Sequence, residues 1–401
     1  MHLAGEPDLG HLTYCTNIHA GNSWPEVRAG LEKNLPLIRT EVAGDAPFGV
    51  GLRLSAAAST ALQQPKPRAE LLELLETGNH YVFTLNGFPY GPFHGEQVKA
   101  GAYRPDWGSP ARLAYTNELA DLLADLLPEG LIGSISTVPG TFKPWAKGNL
   151  SSIAENLIAH VAHLYAIEAR VGRHIALALE PEPCCLLETV EETIQFFNQY
   201  LFSSSACSSL AKTLGMTKPA AEGVLRRHLG ICYDVCHAAV EFENPVQNIA
   251  DLDAAGIGIA KLQLSSAIRV PEVTAAALDV LGKFDEPVYL HQVVEKRGDQ
   301  FSRYLDLPEA FAAAAAAAAD SSNGEWRIHF HVPVFLEQLP GLGTTQNFLR
   351  EILQLHRSQP LSAHLEVETY TWDVLPAEHR NVTVAGAIAR ELQWVKDVIE
   401  S

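Results

Sequence analysis

The chain has 401 residues, of which 47% are hydrophobic and 19% are charged, a balance that is typical of a globular protein and excludes a disordered chain. Its formal net charge is −18, and no block rich in Lys and Arg interrupts it, so we expect no nucleic-acid partner. No run approaches the roughly 20 apolar residues of a membrane span and the first residues do not resemble a secretion signal, so we expect a cytoplasmic protein.

Eight short β-favouring runs follow one another along the chain, with helical patterns between them. The predicted strands are 12–18, 48–54, 81–86, 131–138, 174–180, 229–235, 257–264 and 363–370. Stretches such as 68–78, 112–127 and 151–172 carry apolar residues at helical spacing. This alternation predicts an α/β protein whose parallel strands close into a (βα)8 TIM barrel. An open, doubly wound sheet is the alternative, although no Gly-x-Gly-x-x-Gly motif follows the first strand.

Two regions exceed a minimal barrel, although we expect residues 1–401 to form a single domain. The first, about 202–228, contains a serine-rich stretch and a helical pair that superficially suggests a helix-turn-helix without basic surroundings. The second, about 266–360, is an elaboration before the last strand with two further strand-like runs, 287–294 and 326–331. It also contains an alanine run within a predicted helix at 308–320, which is typical of a surface helix.

The most informative stretch is 231–237, where an apolar run ends in an Asp-x-x-His motif. Asp234 and His237 lie where a predicted strand turns into a loop, so both side chains can reach one small volume and hold a divalent metal. An aspartate that caps the next helix beside an incidental histidine would give the same pattern. The motif therefore needs support from the other strand ends.

Polar residues also mark other predicted strand ends, where the active site of a βα-barrel lies. Strand five ends in Glu180, strand seven carries Lys261 and Gln263 on one face, and strand eight carries Glu366 and Glu368. Further candidates are the His-x-His pair His329 and His331, together with His19, Arg53, Asn86 and His291. Singly, each could be a core histidine or a solvent-facing or capping carboxylate. Together they favour a metal or polar active site, because buried charge is rare unless it is paired.

This order of strand-end residues resembles the xylose-isomerase-like barrel superfamily over nearly the whole chain. That group includes sugar isomerases and epimerases, inosose dehydratases and DNA repair enzymes of the endonuclease IV type. The resemblance implies that Glu180, Asp234, the strand-seven residue and Glu368 bind one divalent ion. It also implies that His237 touches substrate or a further metal, and that His331 matches a late histidine of multi-zinc members. Strand seven usually supplies a histidine, whereas this chain has Gln263, which favours Mn²⁺ or Mg²⁺ over Zn²⁺ or indicates a lost metal.

Three runs, at 12–19, 82–91 and 366–372, are similar to the EboE-type metabolite traffic proteins. That resemblance implies a role in moving or maturing a small secondary metabolite, in functional association with a membrane prenyltransferase pathway. It indicates a pathway but does not identify the reaction.

Three functions remain open from the sequence. The first is a metal-dependent isomerase or epimerase (Mn, Mg or Zn) for a small polyol or sugar-phosphate-like metabolite, with Glu180 and Glu368 as acid and base and Lys261 polarising the substrate. In it, the residues expected to position the substrate are His19, Arg53, Asn86, His237, His291 and His329. The second is a non-catalytic metabolite-binding protein on the same barrel. The third, an endonuclease IV-like phosphodiesterase, would need a basic surface that a chain of net charge −18 lacks.

Overall fold

A computed structural model describes residues 1–95, 97–316, 324–377, 380 and 382–401. The strands in this part of the chain are β1 (His11–Tyr14), β2 (Phe48–Arg53), β3 (His80–Asn86), β4 (Gly133–Thr137), β5 (Ile175–Leu179), β6 (Leu229–Asp234), β7 (Gly258–Leu264), β8 (Ile268–Val270), β9 (Val293–Arg297), β10 (Gln300–Tyr304), β11 (Glu325–Ile328), β12 (Gln338–Leu339), β13 (Leu342–Thr344) and β14 (His364–Val367).

The α-helices of the same part are α1 (Trp24–Val42), α2 (Ala56–Leu62), α3 (Pro65–Thr77), α4 (Pro110–Leu126), α5 (Leu150–Val171), α6 (Val190–Phe196), α7 (Ser204–Leu214), α8 (Lys218–His228), α9 (Val235–Val240), α10 (Pro245–Ala255), α11 (Ala275–Leu281), α12 (Leu307–Ala316), α13 (Gln346–Ser358) and α14 (Val384–Glu400). Within the described residues, none of these helices is both long and apolar enough to cross a membrane.

The central sheet confirms the predicted (βα)8 barrel. Its eight strands lie in the order β1, β14, β7, β6, β5, β4, β3, β2, and each paired neighbour is parallel. Each of the eight predicted strands overlaps one of these. The first is shorter than predicted because the backbone turns into a 3-10 helix at Thr16–Ile18.

The barrel closes between β1 and β2 largely through side-chain hydroxyl groups. Besides one parallel bridge between Cys15 and Gly51, the Thr13 hydroxyl donates to the Gly49 carbonyl (2.7 Å) and accepts from the Gly51 N–H (3.0 Å). The Arg53 N–H donates to the Thr16 hydroxyl (2.8 Å). Two threonines thus satisfy backbone groups that a regular ladder would pair.

A fully buried ion pair between Lys261 and Glu366 fills the barrel interior below the carboxyl ends of the strands. Glycine at position 51 makes room for it, because a Cβ there would lie 1.9 Å from Glu366 Oε1 and 2.6 Å from the Tyr14 carbonyl. The Lys261 ammonium also lies 3.4 Å from the Ser136 hydroxyl. The pair thus lies in the barrel interior, where the inward-pointing side chains of the strands pack against one another.

Two regions were predicted to exceed a minimal barrel, about 202–228 and about 266–360, and the second is richer in strands than expected. The first forms the helical pair α7 and α8. The second contains a six-stranded sheet in the order β10, β9, β11, β8, β13, β12, with antiparallel pairing. The predicted strand 287–294 is wrong over most of its length, because β9 begins at Val293. The predicted helix 308–320 is α12 as far as Ala316, and the rest of its alanine run lies outside the described residues.

Candidate active site

Three buried carboxylates meet at the carboxyl ends of the barrel strands. Glu180 follows β5, Asp234 ends β6 and Glu368 follows β14, and ligand oxygens of all three lie within 4.8 Å of one another. The structure therefore brings together three of the predicted metal ligands. Each of the three residues is no more than 4% exposed, so their charges are removed from water as well as crowded.

Hydrogen bonds fix one side of this group and leave other oxygens free. Glu368 Oε1 accepts from the side-chain amides of Asn17 (2.7 Å) and Asn86 (3.2 Å). Asp234 Oδ1 accepts from the His237 N–H (3.1 Å) and the Ser265 hydroxyl (2.6 Å). Among the described residues, Glu180 Oε2 and Asp234 Oδ2 have no hydrogen-bond partner. Buried oxygens of that kind are well suited to a cation.

The electrostatics of the group favour protonation or a bound cation. Burial, followed by the charges of Glu368 and Asp234, raises the pKa of Glu180 well above its ordinary value. Burial and the charge of Asp234 raise the pKa of Glu368 to about 8. The Lys261 ammonium opposes both shifts but does not cancel them. Like charges at this spacing cannot all remain ionised without compensation.

Three histidines lie beside the carboxylates. His237 is in α9, whereas His329 and His331 follow β11 of the second sheet. Their Nε2 atoms face one another at 3.1 Å (His237 to His329) and 3.2 Å (His329 to His331). Burial lowers the pKa of His329 well below its ordinary value and that of His331 to about 4. The predicted His-x-His pair thus points both rings into the same volume.

A narrow cavity of about 60 Å³ opens above these groups. Its polar floor includes Glu180, Glu182, Glu368, His237, His329, Asn17 and Asn86. Its walls are mainly aromatic or apolar and include Phe88, Pro89, Phe93, Ala102, Tyr103, Tyr289, Leu290 and Tyr370. Concave sites with apolar walls and a few convergent polar groups are typical of small-molecule binding.

Several predicted site residues lie away from this cavity. Lys261 and Gln263 are fully buried below it, and Gln263 Oε1 accepts from the Cys232 thiol (3.7 Å). His19 and Arg53 line a separate small pocket beside α1. His291 Nε2 lies 2.9 Å from a carboxylate oxygen of Glu286. The cavity lining in the described part of the chain contains none of these five.

Other residues of the site were not among the predicted site residues. Glu182 accepts from the Tyr103 hydroxyl (2.7 Å), and burial raises the pKa of Glu182. Tyr289 precedes β9 of the second sheet, and Tyr370 begins a 3-10 helix (Tyr370–Val374) that follows β14. The Glu-Pro-Glu-Pro sequence at 180–183 was the one available signal for Glu182, because both carboxylates follow the same strand.

Comparisons with known proteins give structural likeness only. No protein-family profile and no curated protein sequence matches the chain. Similar solved structures are the probable 3-DHS dehydratase AsbF from Bacillus anthracis (14% identity, 96% of this chain and 97% of that chain, TM-score 0.46), the IOLI protein with a bound zinc atom (14%, 97% and 98%, 0.44) and a D-tagatose 3-epimerase-like protein (13%, 97% and 97%, 0.48). At these identities the likeness extends to the fold alone. The chemistry of the site has to come from this chain's own residues.

Proposed function

We propose that the protein is a divalent-metal-dependent isomerase or epimerase for a small, unphosphorylated, polyhydroxylated carbonyl compound. The observation that carries this proposal is the convergence of Glu180, Asp234 and Glu368 within 4.8 Å, with Glu180 and Glu368 lining the cavity. Carboxylates buried this close together repel one another, and a cation would compensate their charge. An oxygen ligand set fits Mn²⁺ or Mg²⁺, and Zn²⁺ also accepts carboxylates.

The residues present fit such an ion. The orphaned oxygens Glu180 Oε2 and Asp234 Oδ2 are the natural ligands, together with a carboxylate oxygen of Glu368. When bound, the ion would polarise the substrate carbonyl and stabilise the negative charge that develops on its oxygen.

Glu180 and Glu368 would transfer the proton. One ionised carboxylate takes a proton from the carbon next to the carbonyl, and the other, protonated, returns one to the neighbouring position or to the opposite face. Because neighbouring carboxylates drive their pKa values apart, one can stay protonated while another is ionised near neutral pH. Asn17 and Asn86 hold Glu368 in place, and the aromatic walls exclude water from the reacting carbon.

The cavity favours an uncharged substrate with an apolar face. Lys99 is the one Lys or Arg in the cavity lining of the described residues. Its ammonium already pairs with Asp306 (2.6 Å) and with the Glu286 carbonyl (3.3 Å). A phosphate would therefore meet an acidic floor without a free cation. The rings of Phe93, Tyr289 and Tyr370 can instead pack against the carbon face of a small ring or chain.

Solvent-deuterium incorporation tests this function. Protein loaded with Mn²⁺ or Mg²⁺ is incubated in D₂O with a panel of ketoses, aldoses and cyclic ketopolyols, and deuterium beside the carbonyl is followed by NMR. We expect incorporation into an unphosphorylated compound, and a loss of about a hundredfold or more in Glu180→Gln and Glu368→Gln. Glu243→Gln is the matched control, because Glu243 is a partly buried carboxylate that accepts from the Val190 N–H outside the cavity. Absence of exchange across the panel, with metal bound, would contradict the proposal.

A metabolite-binding protein is the second candidate, and Gln263 favours it. This side chain's carbonyl oxygen faces the Cys232 thiol at 3.7 Å. A weaker ion site on the barrel would suit a binding or traffic protein of the EboE type, functionally associated with a membrane prenyltransferase pathway. Stoichiometric retention of a metabolite with no deuterium exchange would favour this function over the enzyme.

A further inference from the structure

A second cluster of possible metal ligands lies at the opposite end of the barrel from the cavity. Glu168 is in the last turn of α5, His174 directly precedes β5, and His228 ends α8 and directly precedes β6. One ligand atom of each residue lies within 4.8 Å of those of the other two. Glu180 follows β5 at its carboxyl end, so the length of a strand separates this cluster from the three carboxylates of the candidate site.

The short connection between α5 and β5 fixes the backbone of two of these residues. α5 ends at Val171, and Gly172 follows in the left-handed conformation (φ 69°), where its N–H donates to the Glu168 carbonyl (2.8 Å). The His174 carbonyl accepts from the Gly133 N–H (2.8 Å), which ties this residue to the start of β4. A fixed backbone lets the side chains keep one arrangement, as a metal site needs.

The imidazole of His228 uses one nitrogen for the backbone and presents the other to the cluster. Its Nδ1 lies 2.7 Å from the Ile175 carbonyl, which only accepts, so Nδ1 donates and carries the hydrogen. Nε2 of the neutral ring is then a lone pair, and it lies 3.1 Å from Glu168 Oε2. The residue is fully buried. Two buried acceptor atoms at this distance repel each other unless a cation or a proton lies between them.

His174 brings a second nitrogen to the same carboxylate oxygen. Its Nδ1 lies 3.6 Å from Glu168 Oε2, and its ring is tilted by 53° relative to that of His228, so the two rings do not stack. Among the described residues, neither His174 Nδ1 nor His228 Nε2 has a hydrogen-bond partner, although both atoms are buried. Burial lowers the pKa of His174 to about 4 and also lowers that of His228. Both rings are therefore neutral near pH 7 and can offer these nitrogens to an ion.

Arg227 orients the carboxylate of Glu168 from the solvent side. Its guanidinium donates through Nη2 to Oε1 and through Nε to Oε2 (3.2 Å). Carboxylates that ligate metals are commonly held by such an outer hydrogen bond. Because the Arg227 side chain is 56% exposed, water and salt screen its charge, and it opposes a bound ion only weakly.

We propose that Glu168, His174 and His228 bind one borderline divalent ion, such as Zn²⁺, at the amino ends of β5 and β6, with water completing its coordination. One carboxylate oxygen and two imidazole nitrogens suit Zn²⁺ or Co²⁺ better than Mg²⁺ or Ca²⁺. In a tetrahedral site with bonds of about 2.05 Å, neighbouring ligand atoms lie about 3.3 Å apart. The distances from Oε2 to the two nitrogens, 3.1 Å and 3.6 Å, are close to this spacing. The site does not depend on the proposed function, because its ligands lie outside the cavity.

Such an ion would fasten the added helical pair to the barrel. α7 and α8 form the first region beyond a minimal barrel, and α8 carries one ligand, whereas α5 and the residue before β5 carry the other two. An ion that binds only the closed arrangement stabilises it by mass action, so amide hydrogens of a segment whose opening releases the ion exchange more slowly. The site would thus serve stability, at the end of this fold that is not used for catalysis.

Hydrogen exchange of the full-length protein with and without Zn²⁺ tests the site. Protein stripped of metal with a chelator is exchanged in D₂O at increasing free Zn²⁺, and its peptides are resolved by mass spectrometry. At about ten times the Kd, we expect amides of α8 and of the last turn of α5 to exchange about tenfold more slowly. His174→Gln and Glu168→Gln should remove this protection. Zn²⁺ bound by the carboxylates of the cavity would instead protect peptides at the other end of the strands, so the two sites are distinguished.

His163→Gln is the matched control, because His163 is a half-buried histidine of the same helix whose Nε2 lies 3.2 Å from Asp121 Oδ1. It should keep the protection by Zn²⁺. The zinc content after gel filtration should fall by one ion per chain in His174→Gln and not in His163→Gln. Circular dichroism checks that each variant is folded, and Glu168→Gln decides if His174→Gln is not. No protection of α8 in the wild type, or equal protection in the wild type and the folded ligand variant, would overturn the proposal.

Discussion

Asp234 serves both local structure and the candidate site. Its Oδ1 caps α9 by accepting from the His237 N–H, while its Oδ2 has no hydrogen-bond partner among the described residues. The sequence offered helix capping and metal binding as alternatives for this Asp-x-x-His motif. The cap is confirmed, and because it uses one oxygen, it leaves the other for an ion.

Strand alternation predicted which residues share a face, but not their depth in the barrel. Lys261 and Gln263 point inward together, as expected. Depth depends on the stagger of neighbouring strands, and Lys261 lies low enough to pair with Glu366 beneath the cavity. The aromatic walls of the cavity could not be predicted from the sequence either, because their residues come from separate segments that only tertiary packing brings together.

Glu391 should make stability depend on pH. Burial raises its pKa to about 7, although it accepts from the Thr369 hydroxyl (2.6 Å) and the Val334 N–H (3.0 Å). The unfolded chain ionises this group near its ordinary value of 4.5. The folded state therefore binds more protons between these two values, and the free energy of unfolding falls as the pH rises through that window.

Glu391→Gln should remove this dependence. We expect the variant to be more stable than the wild type by about 2–3 kcal/mol near pH 8 and nearly equal to it near pH 4.5, measured by urea unfolding. Glu155→Gln, at an exposed position, is the control and should change neither value. An equal effect of Glu391→Gln at both pH values would contradict the assignment.

At the scale of elements, the barrel strands were predictable and the second sheet largely was not. The barrel strands are buried runs of four to seven residues bounded by helical patterns. In the second sheet, β8 and β13 have three residues and β12 has two, which is too short for any period to be recognised. β10 is almost wholly exposed and lacks an apolar face. Such strands are defined by their partners across the sheet.

The Thr13 hydroxyl should be important for closing the barrel. Thr13→Val keeps the shape of the side chain but removes the group that bonds Gly49 and Gly51. We expect a loss of about 2–4 kcal/mol in the free energy of unfolding, because two buried backbone groups lose their partner. Thr13→Ser keeps the hydroxyl and should lose less than about 1 kcal/mol. Equal stability of the two variants would show that the closure between β1 and β2 does not depend on this hydroxyl group.

At the scale of the whole molecule, we propose that the second sheet and the barrel unfold as one unit. Bonds tie them together at several points: the His331 ring to the Glu368 carbonyl, the Val332 N–H to the Ser266 carbonyl, and the Gln292 side-chain amide to the Pro183 carbonyl. These contacts are buried and lie next to the site. A sheet held in this way has little independent stability.

Hydrogen exchange can test whether the second sheet and the barrel unfold as one unit. Peptides from β5 in the barrel and β9 in the second sheet should open with the same free energy and with the same dependence on urea. Limited proteolysis should cut first near 202–212 or 320–325, of which 320–323 lies outside the described residues. Release of two stable, independently folded fragments would contradict the single-domain prediction.

The hydroxyl-closed seam between β1 and β2 also affects how the barrel can move. Glu368 follows β14, the neighbour of β1, whereas Asn86 ends β3, the neighbour of β2. The Asn86 amide therefore reaches Glu368 across the seam. A wider separation of β1 and β2 would withdraw the Asn86 amide from the Glu368 carboxylate, while the hydrogen bonds between all other neighbouring strands stayed intact. Fluctuations that separate β1 from β2 would thus change the hydrogen bonding of the Glu368 carboxylate directly. The hydroxyl groups of Thr13 and Thr16 limit how far the two strands can separate.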